Sequence, residues 1–309
     1  MHDRLSELAK KNTPFLFYTN FTGSKIHTFT LDELKHEDIE FQFGQSFLKH
    51  TETIKKIPVD FKSYQEKFDR IIEHIKNGDT YLLNFTQATP VICNLSLKEI
   101  FKRANAPYKL RVKDQFVCFS PERFIHIEKN RISTYPMKGT IDASVPDASE
   151  KIMNDAKETA EHIMAVDLLR NDLGIVATDI QVEKFRYVDT IHAGEKTLLQ
   201  VSSKISGLLQ KNWKENLGDI IKALLPAGSV SGTPKKRTVE IIQDIEGYDR
   251  EYFTGVFGVF DGETLESAVM IRFIEKNEGQ YVYKSGGGIT LESSVASEYQ
   301  ELIDKIYIP

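Results

Sequence analysis

Two cysteines in 309 residues, Cys93 and Cys118, are too few and too isolated for a disulfide framework or a structural zinc site. A reducing compartment, and so a cytoplasmic protein, is the expectation. No apolar run approaches the roughly 18 residues of a membrane span. The run Pro14-Phe15-Leu16-Phe17-Tyr18 is too brief for a signal-peptide core. Basic charge is not in excess: 40 Lys and Arg against 45 Asp and Glu leave −5, which argues against nucleic acid as the main partner. No repeat, low-complexity tract or Gly/Ser/Pro linker divides the chain, so a single domain over 1–309 is expected. No Ser/His/Asp triad spacing or zinc pattern stands out among the eight histidines, and G-x-S-x-G is missing. With 40% hydrophobic and 28% charged residues, the chain has the composition of a soluble globular protein and not of a disordered one.

The elements themselves read as hairpins with helices between groups of strands. The first sixty residues are mixed and aromatic, which suggests short strands and loops. Ser63 and Glu66 have capping-box spacing before an apolar stripe of Tyr64, Phe68, Ile71, Ile72 and Ile75, with Gly78 as a stop. A strand follows from about 80 to 92. Gln115–Phe119, Arg123–Glu128 and Arg131–Met137 read as antiparallel strands, the last two joined at Lys129-Asn130. One long helix is expected from Asp147 and Glu150 to near Gly174, then a strand over 198–209 and a helix over 213–225. The last third reads as Val256–Phe260, a turn at Asp261-Gly262, a single strand Leu265–Ile274, Lys276–Gly279 turning into Gln280–Lys284, and a helix over 295–307. This order predicts an α+β fold with antiparallel sheets, not a doubly wound parallel sheet.

Four places hold more polar or glycine content than packing requires. Glu122, in Ser120-Pro121-Glu122-Arg123-Phe124, breaks two apolar strands. It fits a surface turn, or an acid whose proton is held tightly among aromatic residues. Lys138, in Pro136-Met137-Lys138-Gly139-Thr140, fits a solvated turn or a nucleophile in a closed site. Glu158 with Glu161, and Glu298 with Glu301, each place two carboxylates on one helix face, an oxygen-rich set suited to a hard cation such as Mg²⁺. At about 100° per residue, the first pair lies opposite a stripe of Ile152, Ala156, Ala160 and Ile163, as on a solvated face. Glu298, Glu301 and Lys305 flank the apolar face of Val295, Leu302 and Ile306, which suits a site wall better. Two glycine-rich loops, Pro226–Lys235 and Ser285–Ile289, could turn backbone amides toward an anion. Neither has P-loop spacing. Arg272, alone among apolar residues, is of the kind that normally has an anion to bind.

Taken together, these segments resemble the chorismate-utilising enzymes, which include the large components of anthranilate and aminodeoxychorismate synthases and the isochorismate and salicylate synthases. SPERF (Ser120–Phe124), PMKGT (Pro136–Thr140), EHIMAVDLLRNDL (Glu161–Leu173), PAGSVSGTPK (Pro226–Lys235), Arg272 in MIRF, GGGI (Gly286–Ile289) and EYQELIDK (Glu298–Lys305) carry the likeness in order. It spans roughly 62–309 as the family core, after a short N-terminal portion over 1–61. The resemblance implies antiparallel sheets in a sandwich with helices outside. It further implies that Glu161 and Glu298 bind Mg²⁺, with Glu158 and Glu301 assisting directly or through water, and that the metal holds the ring carboxylate of chorismate. Arg272, the amides of Gly286, Gly287 and Gly288, and Lys305 would surround the carboxylates, with Thr140 and Ser231 also on the substrate. Glu122 would be the acid that helps the carbon-4 hydroxyl leave.

Lys138 selects the branch. At the matching position anthranilate synthases carry alanine, whereas aminodeoxychorismate synthases carry lysine, which adds at carbon 2 and departs again as ammonia adds at carbon 4. The lysine base of the isochorismate and salicylate synthases is matched here by Leu82. The family often has a histidine at Leu199 and a tyrosine at Phe253, and no LLES-type tryptophan pattern is visible. No amidotransferase Cys/His/Glu set occurs, so a glutamine amidotransferase subunit is the expected source of ammonia. The rivals are an anthranilate synthase large component and a non-catalytic anion-binding protein of the same fold.

Overall fold

The computed structural model describes residues 2–44, 54–193 and 196–309. Two antiparallel sheets face each other, and groups of consecutive strands belong now to one, now to the other. The first sheet runs in the order Met137–Asp142, Lys196–Leu208, Arg131–Thr134, Arg123–Glu128, Leu265–Val269, Val256–Phe260, Phe15–Thr19, Ile26–Thr30, with Thr178–Ala193 also paired to Lys196–Leu208. The second runs Gly232–Thr233, Leu82–Ile92, Gln280–Ile289, Phe273–Asn277, Phe116–Ser120, Tyr108–Val112, Ile39–Phe43. Strands such as Phe15–Thr19 and Phe116–Ser120 are buried at every position, so continuous apolar runs occupy the middle of each sheet.

Leu16, Tyr18, Leu110, Phe116, Cys118, Phe257, Ala268 and Phe273 fill the space between the sheets. Helices cover the outer faces. Leu173, Leu217, Ile221 and Leu224 pack on the first sheet, and Tyr64, Phe68, Ile241, Ile245 and Leu302 pack on the second. The sandwich with helices outside is therefore present. Among the described residues, no helix is long and apolar enough to cross a membrane.

Several boundaries differ from those expected, each for a local reason. Asp60, not Ser63, caps the helix Phe61–Lys76, accepting the Ser63 amide at 3.1 Å. The expected helix from 147 to 174 is two, Ala148–Asn154 and Ala156–Val176. Asp155 is extended between them and caps the second through the Glu158 amide at 2.9 Å. Leu265–Ile274 is also two strands, one in each sheet, because the chain crosses over at Met270–Arg272. The triple glycine is not a loop but lies within the strand Gln280–Ile289, where Gly286, Gly287 and Gly288 pair with Thr86, Phe85 and Asn84. Unforeseen elements include the helices His2–Lys10, Leu97–Arg103 and Lys235–Glu246 and the strands Tyr108–Val112 and Thr178–Ala193. The part of the N-terminal reading that falls on 45–53 lies outside the described residues.

Candidate active site

The chain steps between the sheets twice at neighbouring points, and each step carries a site candidate. The first, Ser120 to Arg123, holds Glu122; the second, Val269 to Phe273, holds Arg272. Backbone bonds tie the two together, from the Val269 amide to the Glu122 carbonyl at 3.1 Å and from the Phe119 amide to the Arg272 carbonyl at 3.1 Å. Arg272 takes a left-handed backbone (φ 52°), which is strained for a residue with a Cβ. Its guanidinium lies 5.6 Å from the Tyr307 ring centroid, and its Nε is buried with no acceptor among the described residues. A buried donor left open in this way suits an anion that is not part of the chain.

Lys138 approaches from the strand Met137–Asp142, where Gly139 (φ 81°) produces an irregular pairing with Lys196–Leu208. Its Nζ stands 3.5 Å from Glu161 Oε2. A Cβ built on Gly288 would meet the same Nζ at 3.7 Å, so the lysine faces the glycine strand. A Cβ on Gly287 would lie 3.4 Å from Glu298 Oε2, 3.5 Å from Glu301 Oε1 and 3.6 Å from Lys305 Nζ. Lys305 Nζ bonds Glu301 at 2.5 Å and the Gly286 carbonyl at 2.9 Å. Absent side chains on the strand thus leave a polar hollow bordered by Lys138, the last helix and the glycine backbone.

The helix Ala156–Val176 turns a different face inward from the one its apolar residues suggest. Ile163 is exposed, while His162, Val166 and Leu173 are buried. Glu158 and Glu161 are partly buried, so the solvated-face alternative does not hold for them. Asp172 lies eleven residues after Glu161, about 20° from the same line at about 100° per residue. That is a signal the sequence contained. Asp172 accepts from Lys235 at 2.7 Å and from the Gly228 amide, which pins the segment Pro226–Lys235 to this helix. Ser229 in that segment lines the same small pocket as Glu122 and favours its charged form. Ser231 does not share this position: it is fully buried, and its hydroxyl donates to the Ala227 carbonyl at 2.9 Å. Thr140 is exposed two residues beyond Lys138.

Burial raises the proton affinity of Glu122, outweighing Ser229, Lys138, Arg272 and Lys305, which all favour the charged form. Glu298 is also pushed up, first by burial and then by Glu301, with Glu161 adding to it. Glu158 is raised by burial and by Glu161. Lys305 is pushed down by burial despite Glu301. Glu301 goes the other way, lowered because Lys305, Lys138 and Lys157 outweigh its burial. Repulsion thus runs within each pair and between Glu161 and Glu298, and a hard divalent cation would relieve it with the oxygen donors it prefers. As arranged, no group of three His, Cys, Asp or Glu among the described residues is close enough to hold an ion. Lys138, Lys157 and Lys305 stand beside the carboxylates instead. The donor chemistry fits Mg²⁺.

A family model described as chorismate binding enzyme matches residues 24–308. The chain belongs to that family. An uncharacterized PabA-like protein of Haemophilus influenzae is 46% identical over 99% of this chain and 95% of its own length. Aminodeoxychorismate synthase component 1 of Escherichia coli is 32% identical over 79% of this chain but only 56% of its own. Among solved structures, anthranilate synthase component I from Streptococcus pneumoniae matches with a TM-score of 0.69 and 26% identity, over 84% of this chain and 60% of that one. Overall likeness to chorismate-binding enzymes thus reaches both amination branches. The choice between them rests on individual residues.

Proposed function

We propose that this protein aminates chorismate at carbon 4, as the large component of an aminodeoxychorismate synthase. The observation that carries the reading is Lys138: an amine facing the glycine strand, near a half-buried acid, Glu122, and a cation, Arg272, whose buried Nε has an open donor. Arg272, Lys305 and the amides of Gly286–Gly288 would bind the two carboxylates and orient the ring. Glu161 and Glu298, with Glu158 and Glu301, would hold Mg²⁺, which when bound supplies positive charge to the ring carboxylate.

Lys138 Nζ, having lost a proton, forms a bond to carbon 2 while the ring double bond shifts and the carbon 4–oxygen bond breaks. Glu122 gives its proton to the departing hydroxyl, which leaves as water. Ammonia then adds at carbon 4, the double bond shifts back, and the Lys138 amine departs from carbon 2. The proton released by the adding ammonia restores the acid. A glutamine amidotransferase partner would supply the ammonia, and the cytoplasm is the corresponding setting.

An anthranilate synthase needs only ammonia at carbon 2 and has no use for an amine at position 138. A non-catalytic anion binder needs neither that amine nor a buried acid beside it. The test is product identification from chorismate, ammonium salt and Mg²⁺, with and without a lyase that converts aminodeoxychorismate. Release of 4-amino-4-deoxychorismate is the expected result. Anthranilate as the product would move the protein to the other branch, and no turnover would leave the binding reading.

A further inference from the structure

The segment Pro226–Lys235 reaches the pocket of Glu122 with Ala227 and Ser229, of which only Ser229 carries a polar side chain, and is held from behind by a pair the proposed reaction does not use. We propose that this segment is a positioning device for the acid: Ser229 orients the Glu122 carboxyl, and an Asp172–Lys235 clasp keeps Ser229 in place. The inference rests on the acid role proposed for Glu122.

Three observations lead to it. Glu122, Ser229 and Asp172 line one small pocket of about 20 Å³, with Arg123 and Thr134 among its polar walls, Leu169 and Leu173 among its apolar ones, and Ser229 at its exposed edge. That volume admits a single water, for which about 10–15 Å³ is enough, so no more than one ordered water fits among these side chains. Second, Asp172 is fastened twice to the segment, by Lys235 Nζ at 2.7 Å and by the amide of Gly228, the residue before Ser229. Third, the fit allows no slack: a Cβ on Gly228 would fall 2.5 Å from Asp172 Oδ2 and 3.1 Å from Leu168 Cγ. Asp172 shares its helix face with Glu161, so one rigid helix sets both the carboxylate beside Lys138 and the segment behind the acid.

The charged groups facing Glu122 are Lys138, Arg272 and Lys305, with Arg123 and Asp172 on the cavity side. Ser229 favours the charged carboxylate, as those three cations do. Losing its hydroxyl therefore makes Glu122 hold its proton to higher pH and lets the carboxyl rotate away from the leaving hydroxyl. Asp172 separates two mechanisms by sign. Loss of its negative charge alone would make Glu122 release its proton more easily, at lower pH. Loss of the clasp would free Ser229 and move the titration to higher pH.

The experiment is a ¹³C NMR titration of the Glu122 carboxyl in protein labelled at glutamate carboxyls, assigned with Glu122→Gln, alongside kcat/KM against pH. Ser229→Ala and Asp172→Asn should both move the Glu122 midpoint and the alkaline limb upward. The two together should do no more than one, and kcat should fall about tenfold, as for a displaced acid. Ser229→Thr should restore the wild-type midpoint. Unmoved midpoints, a downward shift in Asp172→Asn, or additive effects would each overturn the clasp. The NMR titration reads the clasp even where no aminodeoxychorismate forms, so failure of the proposed reaction and failure of this inference are distinguishable.

Discussion

Two adjacent glycines of one strand should respond to the same substitution in opposite ways. At Gly286 a built Cβ falls 2.1 Å from the Phe85 carbonyl oxygen and 2.7 Å from Thr86 Cα. Both are backbone atoms of the paired strand Leu82–Ile92, which cannot move aside without opening the ladder between them. Gly286→Ala should cost about 3 kcal/mol or more of stability, the range of an overpacked core. At Gly287 the nearest atoms are the ends of Glu298, Glu301 and Lys305, at 3.4 to 3.6 Å, which is ordinary contact. Gly287→Ala should leave the fold alone and add about 0.5 kcal/mol by restricting the unfolded chain. Its methyl group, however, points into the hollow proposed for the substrate carboxylates, so kcat/KM should fall by about 100-fold. Thermal melts and amination of chorismate, read on both variants, test the pair. A wild-type kcat/KM in Gly287→Ala would refute the glycine face as the substrate wall. A wild-type Tm in Gly286→Ala would refute the register of this strand.

Glu161→Gln and Glu298→Gln should each abolish Mg²⁺-dependent turnover with an intact fold, because a hard cation loses affinity when a charged oxygen ligand becomes an amide; full turnover in EDTA would sink the metal assignment. Lys138→Ala should stop formation of 4-amino-4-deoxychorismate, and Lys138→Arg should not rescue it, since a guanidinium stays protonated; an alanine variant making that product at the wild-type rate would remove the covalent role. Because burial makes Glu122 hold its proton beyond the ordinary carboxyl range, the acid should be active at low pH and lost as pH rises through its raised value, giving an alkaline limb in kcat/KM that disappears in Glu122→Gln. The buried pair of Glu246 and Arg250, whose side chains are 1% and 2% exposed, should cost about 3–5 kcal/mol when Glu246→Leu strands the guanidinium, and urea unfolding would show it.

The sequence made some of this legible and hid the rest for a physical reason. Local rules read well where one segment decides its own conformation. The stripe of Tyr64, Phe68, Ile71 and Ile75 is buried as its spacing requires, and Lys129 and Asn130 form their turn with φ of 48° and 63°. The readings failed where a partner from elsewhere in the chain decides. Ile163 has helical spacing for a core position, yet it is exposed, because Ala156–Val176 packs on the strands Met137–Asp142 and Lys196–Leu208 and on the helix Leu217–Leu224, which turn another face inward. The triple glycine looks like a turn in isolation and becomes a strand only because Leu82–Ile92 lies alongside it. Ser231 and Ser229 are indistinguishable by composition, and the turn that buries one hydroxyl against Ala227 leaves the other toward Glu122. The same contrast explains where the site lies. Glu122 and Arg272 sit at two neighbouring crossings between the sheets, where the ladder must break and a polar side chain costs the core least. A fold whose sheets exchange strands at one place creates, at that place, the backbone irregularity and open hydrogen-bonding groups that an anionic substrate needs.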